Sequence, residues 1–195
     1  MNTIKGSIVN DRYLESIAYA LHEEAKVEKD GYRFKKLVPA MTFYCFAMES
    51  KLNTYGKDIF TINQEFKQFS NATILGKFDW LLSRMGADAS DAIEPHRETI
   101  AHMVAFRNSV AHSKNIEFQE ERELIGLEQF GDRFISAPKH EKDFMSQRSL
   151  EACERYKVAL DFLERAWFVL SRKHFDTFDP RRGFGISRAS VIDRN

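Results

Sequence analysis

Apolar residues recur at three- and four-residue steps through most of the chain. Leu14, Ile17, Ala18, Leu21 and Ala25 form one such stripe and predict a helix over about 11–29, closed by Asp30-Gly31. Met41, Tyr44, Cys45, Met48, Leu52 and Tyr55 form a second, over about 37–55, with Gly56 as its expected stop. Ile74, Leu75, Phe78, Leu81, Leu82 and Met85 form a third, with Ser70 or Asn71 as the expected cap and Gly86 just past its end. Pro95 suits the first turn of a fourth helix, which carries Ile100, Met103, Val104, Phe106, Val110 and Ala111. The clearest stripe is the last: Cys153, Tyr156, Leu160, Leu163, Trp167 and Leu170 alternate three-four spacing, the seam of a helix packed lengthwise on others.

Between the stripes the pattern weakens. Residues 56–70 read as loop with a short helix. Residues 115–146 lack clean periodicity and contain Gly126, Gly131 and Pro138, so they read as a long excursion. No run alternates in the manner of a strand. The expected fold is therefore all-α, an antiparallel bundle of four to five main helices. It forms one domain over 1–178, followed by a basic tail over 179–195 that carries Arg181, Arg182, Arg188 and Arg194. There is no internal repeat.

Composition narrows the function classes. The 29 basic and 29 acidic residues cancel, so any polyanion site is a local patch rather than a whole-molecule field. The two cysteines, Cys45 and Cys153, fall inside apolar stripes and read as reduced core thiols. No segment approaches the ~20 apolar residues of a membrane span, and the N-terminal residues carry no cleavage signal. A cytoplasmic protein without membrane attachment is the expectation. The six histidines lack the HExxH or paired Cys/His spacing of a zinc site, and no phosphate-binding glycine loop is present, so neither metal nor cofactor is expected. His102 and His174 read as packing or surface residues, and Trp80 and Trp167 as core.

The stretch AFRNSVAHSK, Ala105 to Lys114, is different. On a helical projection Arg107 falls near the middle of the apolar arc of the fourth helix. A guanidinium there needs an anion or several acceptors, because burying an unpaired charge is costly. Glu49, at the flank of the second stripe, is the candidate carboxylate, with Asn53 one turn later. His112 comes five residues after Arg107, where the helix is expected to end. Residues five apart do not share a helix face, so the two converge only if the helix stops near Ala111 or a second copy of the chain contributes.

Arg107-Asn108-Ser109-Val110-Ala111-His112 resembles the signature of the HEPN superfamily (higher eukaryotes and prokaryotes nucleotide-binding): an arginine, a polar residue, then a histidine near a helix end in an all-α bundle. Glu49 in FAMESKLN is similar to the acidic residue that members carry on an earlier helix. The resemblance spans about residues 11–175, but only the short motif is specific. Arg97 to His102 has the same spacing, and Arg133 to His140 fits a looser version. Only the Arg107 copy has the adjacent asparagine, the apolar setting and the helix end. Some toxin members place a modifiable tyrosine two residues after the histidine; here that residue is Lys114.

The resemblance implies a metal-independent endoribonuclease, a toxin or defence component. Arg107 and His112 would be catalytic, Asn108 and Glu49 supporting, with RNA as substrate. It implies a homodimer, and an antitoxin or nucleotidyltransferase as partner. The alternatives are a non-catalytic module that binds RNA or nucleotides, or a helical protein-interaction module. In those, Arg107 simply pairs with Glu49, and His112 contacts carbonyls at a helix end.

Overall fold

The structure is a computed structural model that describes residues 3–7, 10–87, 92–112, 143–174 and 188–192. In chain order these form β1 (Thr3–Ser7), α1 (Asp11–Val27), α2 (Asp30–Ile59), α3 (Asn63–Asn71), α4 (Ile74–Arg84), α5 (Glu94–Ala111), α6 (Phe144–Gln147), α7 (Leu150–His174) and β2 (Arg188–Ile192). The body is an all-α bundle, as the stripes predict. The excursion falls mostly outside the described residues, as do Arg133, His140, Lys114, Arg181, Arg182 and Arg194.

Paired side chains give the helix directions. Glu15 meets Lys51 and His22 meets Tyr44, so α1 and α2 run antiparallel. Arg12 meets Glu164 and His22 meets Glu154, so α1 and α7 do too. His96 stacks on Phe162 and His102 bonds Tyr156, which sets α5 antiparallel to α7. The four predicted main stripes after the first supply most of the core: Met41, Tyr44, Cys45, Met48 and Leu52 from α2, Phe78, Leu81 and Leu82 from α4, Ile100, Met103 and Phe106 from α5, and Cys153, Tyr156, Leu160 and Leu163 from α7 are all buried. Tyr55 stacks flat on Trp167 with ring centroids 4.3 Å apart, so Trp167 is a core ring. Cys45 and Cys153 are free and buried, as expected. Burial pushes both thiols up, that of Cys153 to about 12.

Several boundaries differ from expectation. Asp30-Gly31 does not close α1 but opens α2, where an acidic side chain in the first turn complements the helix dipole. α2 then runs through Pro39 and past Gly56. Gly56 is not a stop. A Cβ there would lie 2.0 Å from the Phe69 ring, so the missing side chain admits Phe69 against the helix. The cap of α4 is Thr73 rather than Ser70 or Asn71, its hydroxyl accepting the Gly76 N–H at 3.1 Å. Gly86, at φ 72°, takes the left-handed conformation expected just past a helix end. Finally, part of the tail is ordered as a strand: β2 pairs antiparallel with β1, Thr3 opposite Ile192 and Ser7 opposite Arg188. Two five-residue strands joining the chain ends carry too little alternation to be read from sequence.

The first stripe is also rotated from expectation. Ile17 is exposed, whereas Asp11 and His22 are buried. His22 lies against Tyr44 and within 3.8 Å of Glu154. Burial holds its imidazole below the usual 6.5; Lys26 and Lys157 push the same way, and Glu154 and Glu23 oppose. His96 and His102 are lowered by burial as well, His102 also by Arg155. A base whose folded pKa is depressed favours the folded state when neutral. Its contribution is complete above the unfolded value near 6.5 and is lost as pH falls toward the folded value. Thermal melts should therefore show a lower Tm at pH 5 than at pH 7.5, and His22→Leu should flatten that dependence. An identical slope in the variant would remove His22 from the account.

Candidate functional site

α2 and α5 touch at two successive points, one helical turn apart on each. The Cys45 thiol donates to the Met103 carbonyl at 3.3 Å. One turn on, Arg107 Nη2 donates to Glu49 Oε2 at 2.8 Å. Glu49 follows Met48 and precedes Leu52, both buried, so the packing of α2 fixes where its carboxylate stands. Phe106, buried beside Arg107, does the same for α5.

Arg107 also donates from Nη1 to Asn108 Oδ1 at 3.0 Å. Glu49, Arg107 and Asn108 thus form one bonded chain that holds the guanidinium fork from two sides. The expectation that Arg107 lies in the middle of the buried arc needs correction. Its side chain is 30% exposed and that of Glu49 31%. The buried line of α5 is Ile100, Met103 and Phe106, with Val110 half-buried and Ala111 exposed, so Arg107 stands at its rim. These two bonds engage two of the five N–H donors of a guanidinium.

α5 ends at Ala111, as the sequence suggested. His112 leaves helical geometry at φ −121° and ψ 41°, and its backbone N–H donates to the Asn108 carbonyl at 2.9 Å. His112 is exposed. It is tied through its backbone to the same Asn108 that braces Arg107. The bonded chain brings together Glu49, Arg107 and Asn108; His112 stands at the same end of α5 outside that chain.

The second Arg-His spacing is used differently. Arg97 grips Asp79 of α4, with Nε at 3.0 and 3.2 Å from its two oxygens and Nη2 at 3.2 Å. His102 Nδ1 lies 2.8 Å from the Tyr156 hydroxyl, and its ring stands edge-on to Tyr156. Both residues are spent on joining α5 to its neighbours. His102 borders a cleft of about 380 Å³ lined also by His96, Glu98 and Arg155 among others. A second cleft, of about 250 Å³, lies between α1, α2 and α7. Neither of these two clefts is lined by Arg107 or His112.

Sequence reasoning missed two buried lysines near the site-bearing helix. Lys51 of α2 is fully buried among Asp11, Glu15 and Glu164. Lys77 of α4 is 5% exposed and donates to Asn53 Oδ1 at 2.8 Å. A polar residue on a buried arc reads as part of a solvated face, and only its tertiary partner tells otherwise. Among the described residues, no helix is long and apolar enough to cross a membrane.

Comparison with known protein families, with curated proteins and with solved structures finds no match.

Proposed function

We propose that this protein is a HEPN-like, metal-independent endoribonuclease whose site is the C-terminal end of α5. One observation carries the reading: a guanidinium braced by Glu49 and Asn108 at 2.8 and 3.0 Å, about one-third exposed, at the same helix end as an exposed histidine. A rigid, part-exposed fork suits the non-bridging oxygens of a phosphodiester. Histidine titrates near neutrality and can take or give a proton.

The reaction follows from these groups. A neutral imidazole takes the proton of the ribose 2′-OH as O2′ bonds to phosphorus. Arg107 stabilises the charge that builds on the phosphorane oxygens. The P–O5′ bond breaks, and an imidazolium gives O5′ its proton. The products are a 2′,3′-cyclic phosphate and a 5′-hydroxyl. One His112 cannot be acid and base in the same step, so the reading requires two copies of the chain with their α5 ends facing. A homodimer at tens of micromolar by light scattering is expected, and a monomer would contradict the composite site. A toxin or defence role, with an antitoxin or nucleotidyltransferase partner, is the physiological setting that accompanies this reading.

The Glu49–Arg107 pair also favours a second reading. A guanidinium already facing a carboxylate has part of its charge neutralised, as in a non-catalytic RNA-binding or interaction module. Incubation of the purified protein with total RNA in excess chelator separates the two. The nuclease reading expects fragmentation; intact RNA at every protein concentration and pH rejects it.

A further inference from the structure

The two buried lysines are compensated in opposite ways. Lys51 meets three carboxylates within 4 Å. Lys77, 5% exposed, meets a neutral amide, Asn53, and among the described residues no carboxylate lies within ion-pair distance of it. Two acids on the helices that bear Lys77 and Asn53 are committed elsewhere. Asp79, two residues along α4, holds Arg97. Glu49, one turn before Asn53 on α2, holds Arg107. An ammonium removed from water without a counter-charge is unfavourable, so an anion that reaches this one is favoured. The site is within reach of solvent. Asn53 is exposed, so the ammonium it receives lies just beneath a surface residue, with the aliphatic stem buried.

Position says which anion. Glu49 and Asn53 are four apart on one helix face, with Cβ atoms about 6 Å apart. The Lys77 ammonium is therefore a near neighbour of the Glu49–Arg107 pair, on the same side of α2. We infer that Lys77, presented by Asn53, is a second phosphate contact for the strand whose scissile phosphate faces Arg107. It binds a neighbouring phosphodiester of the same single-stranded nucleic acid. The inference rests on the ribonuclease reading for its choice of ligand, but its test does not depend on cleavage.

The test is the binding of a fluorescent single-stranded 2′-deoxyoligonucleotide, which cannot be cleaved by 2′-OH attack, across a salt series. Lys77→Met keeps the stem and removes the charge. It should weaken binding roughly threefold and reduce the slope of log K against log salt by about 0.7, the share of one phosphate on a single strand. Asn53→Asp places a carboxylate against the ammonium. It should weaken binding likewise while holding or raising the Tm, which a merely structural role for Asn53 would not do. If Lys77→Met folds poorly, Asn53→Asp decides alone. Unchanged affinity and slope in folded Asn53→Asp protein overturn the inference, as does a wild type that binds no oligonucleotide at low salt. So does a free-anion site, in which millimolar inorganic phosphate raises the Tm of wild type but not of Lys77→Met while oligonucleotide binding is the same in both. RNA cleavage by wild type with unaltered Lys77→Met binding would leave the nuclease reading intact and remove this one. Oligonucleotide binding that responds to both variants, without RNA cleavage, would do the reverse.

Discussion

Lys51→Ala is expected to lower stability by about 3–5 kcal/mol, the cost of removing one partner from a buried ion pair. In a chain of this size that corresponds to a fall in Tm on the order of 10 °C. The ammonium is fully buried where α1, α2 and α7 meet. It pairs with Glu164, lies 2.8 Å from Glu15, and stands 3.9 Å from Asp11. Arg12 lies 3.2 Å from Glu164 and 3.8 Å from Glu15, but with a 41% exposed side chain it cannot replace a charge at the centre. Removal of Lys51 thus leaves three carboxylates facing one another at the junction of the bundle. A Tm within 2 °C or so of wild type at neutral pH would mean that water screens this cluster and that apolar packing alone sets the helix arrangement.

The second large effect is on activity. Arg107→Ala and His112→Ala should each lower RNA cleavage by about two orders of magnitude or more, the usual worth of a positioned charge or proton donor. The structure makes both clean probes. The Glu49–Arg107 pair is about one-third exposed on each side, so breaking it should cost about 1 kcal/mol or less. His112 is exposed and caps α5 through its backbone, which alanine preserves. The internal control is the Arg97–His102 spacing. Arg97→Ala and His102→Ala should leave cleavage nearly intact and instead shift the melting temperature, because Asp79 and Tyr156 lose their partners. Activity lost in the Arg97 and His102 variants but kept in the others would place the site in the cleft between α5 and α7.

The helices were legible because apolar residues at three-four spacing report a buried face directly: α2 and α7 bury all their stripes named but Tyr55 and Leu170, whereas α5 buries Ile100, Met103 and Phe106 and leaves Val104, Val110 and Ala111 toward its rim. Helix ends were less so. Asp30-Gly31 suits a first turn as well as a stop, and Gly56 is explained by a ring thirteen residues away that no local pattern contains. In the candidate site, the pairing of Glu49 with Arg107 could be anticipated, since a charge near an apolar arc needs a partner and Glu49 flanks the neighbouring stripe. Spacing alone did not separate Arg107 from Arg97; the adjacent asparagine and the helix end did, whereas the helix each guanidinium reaches, α2 for Arg107 and α4 for Arg97, was not legible for Arg97. Lys51, Lys77 and His22 were invisible for the same reason: their burial depends on Glu164, Asn53 and Tyr44, residues distant in the chain.

The chemistry of the cut ends reports directly on whether His112 and Arg107 drive 2′-OH attack. A defined RNA is incubated with wild type and with His112→Ala in excess chelator, and the 3′ ends are read by mass spectrometry. Wild type should leave 2′,3′-cyclic phosphate ends, and the variant should leave the RNA uncut. Fragments bearing 3′-hydroxyl ends, or the same cyclic ends at the same rate from His112→Ala, would contradict 2′-OH attack driven by His112.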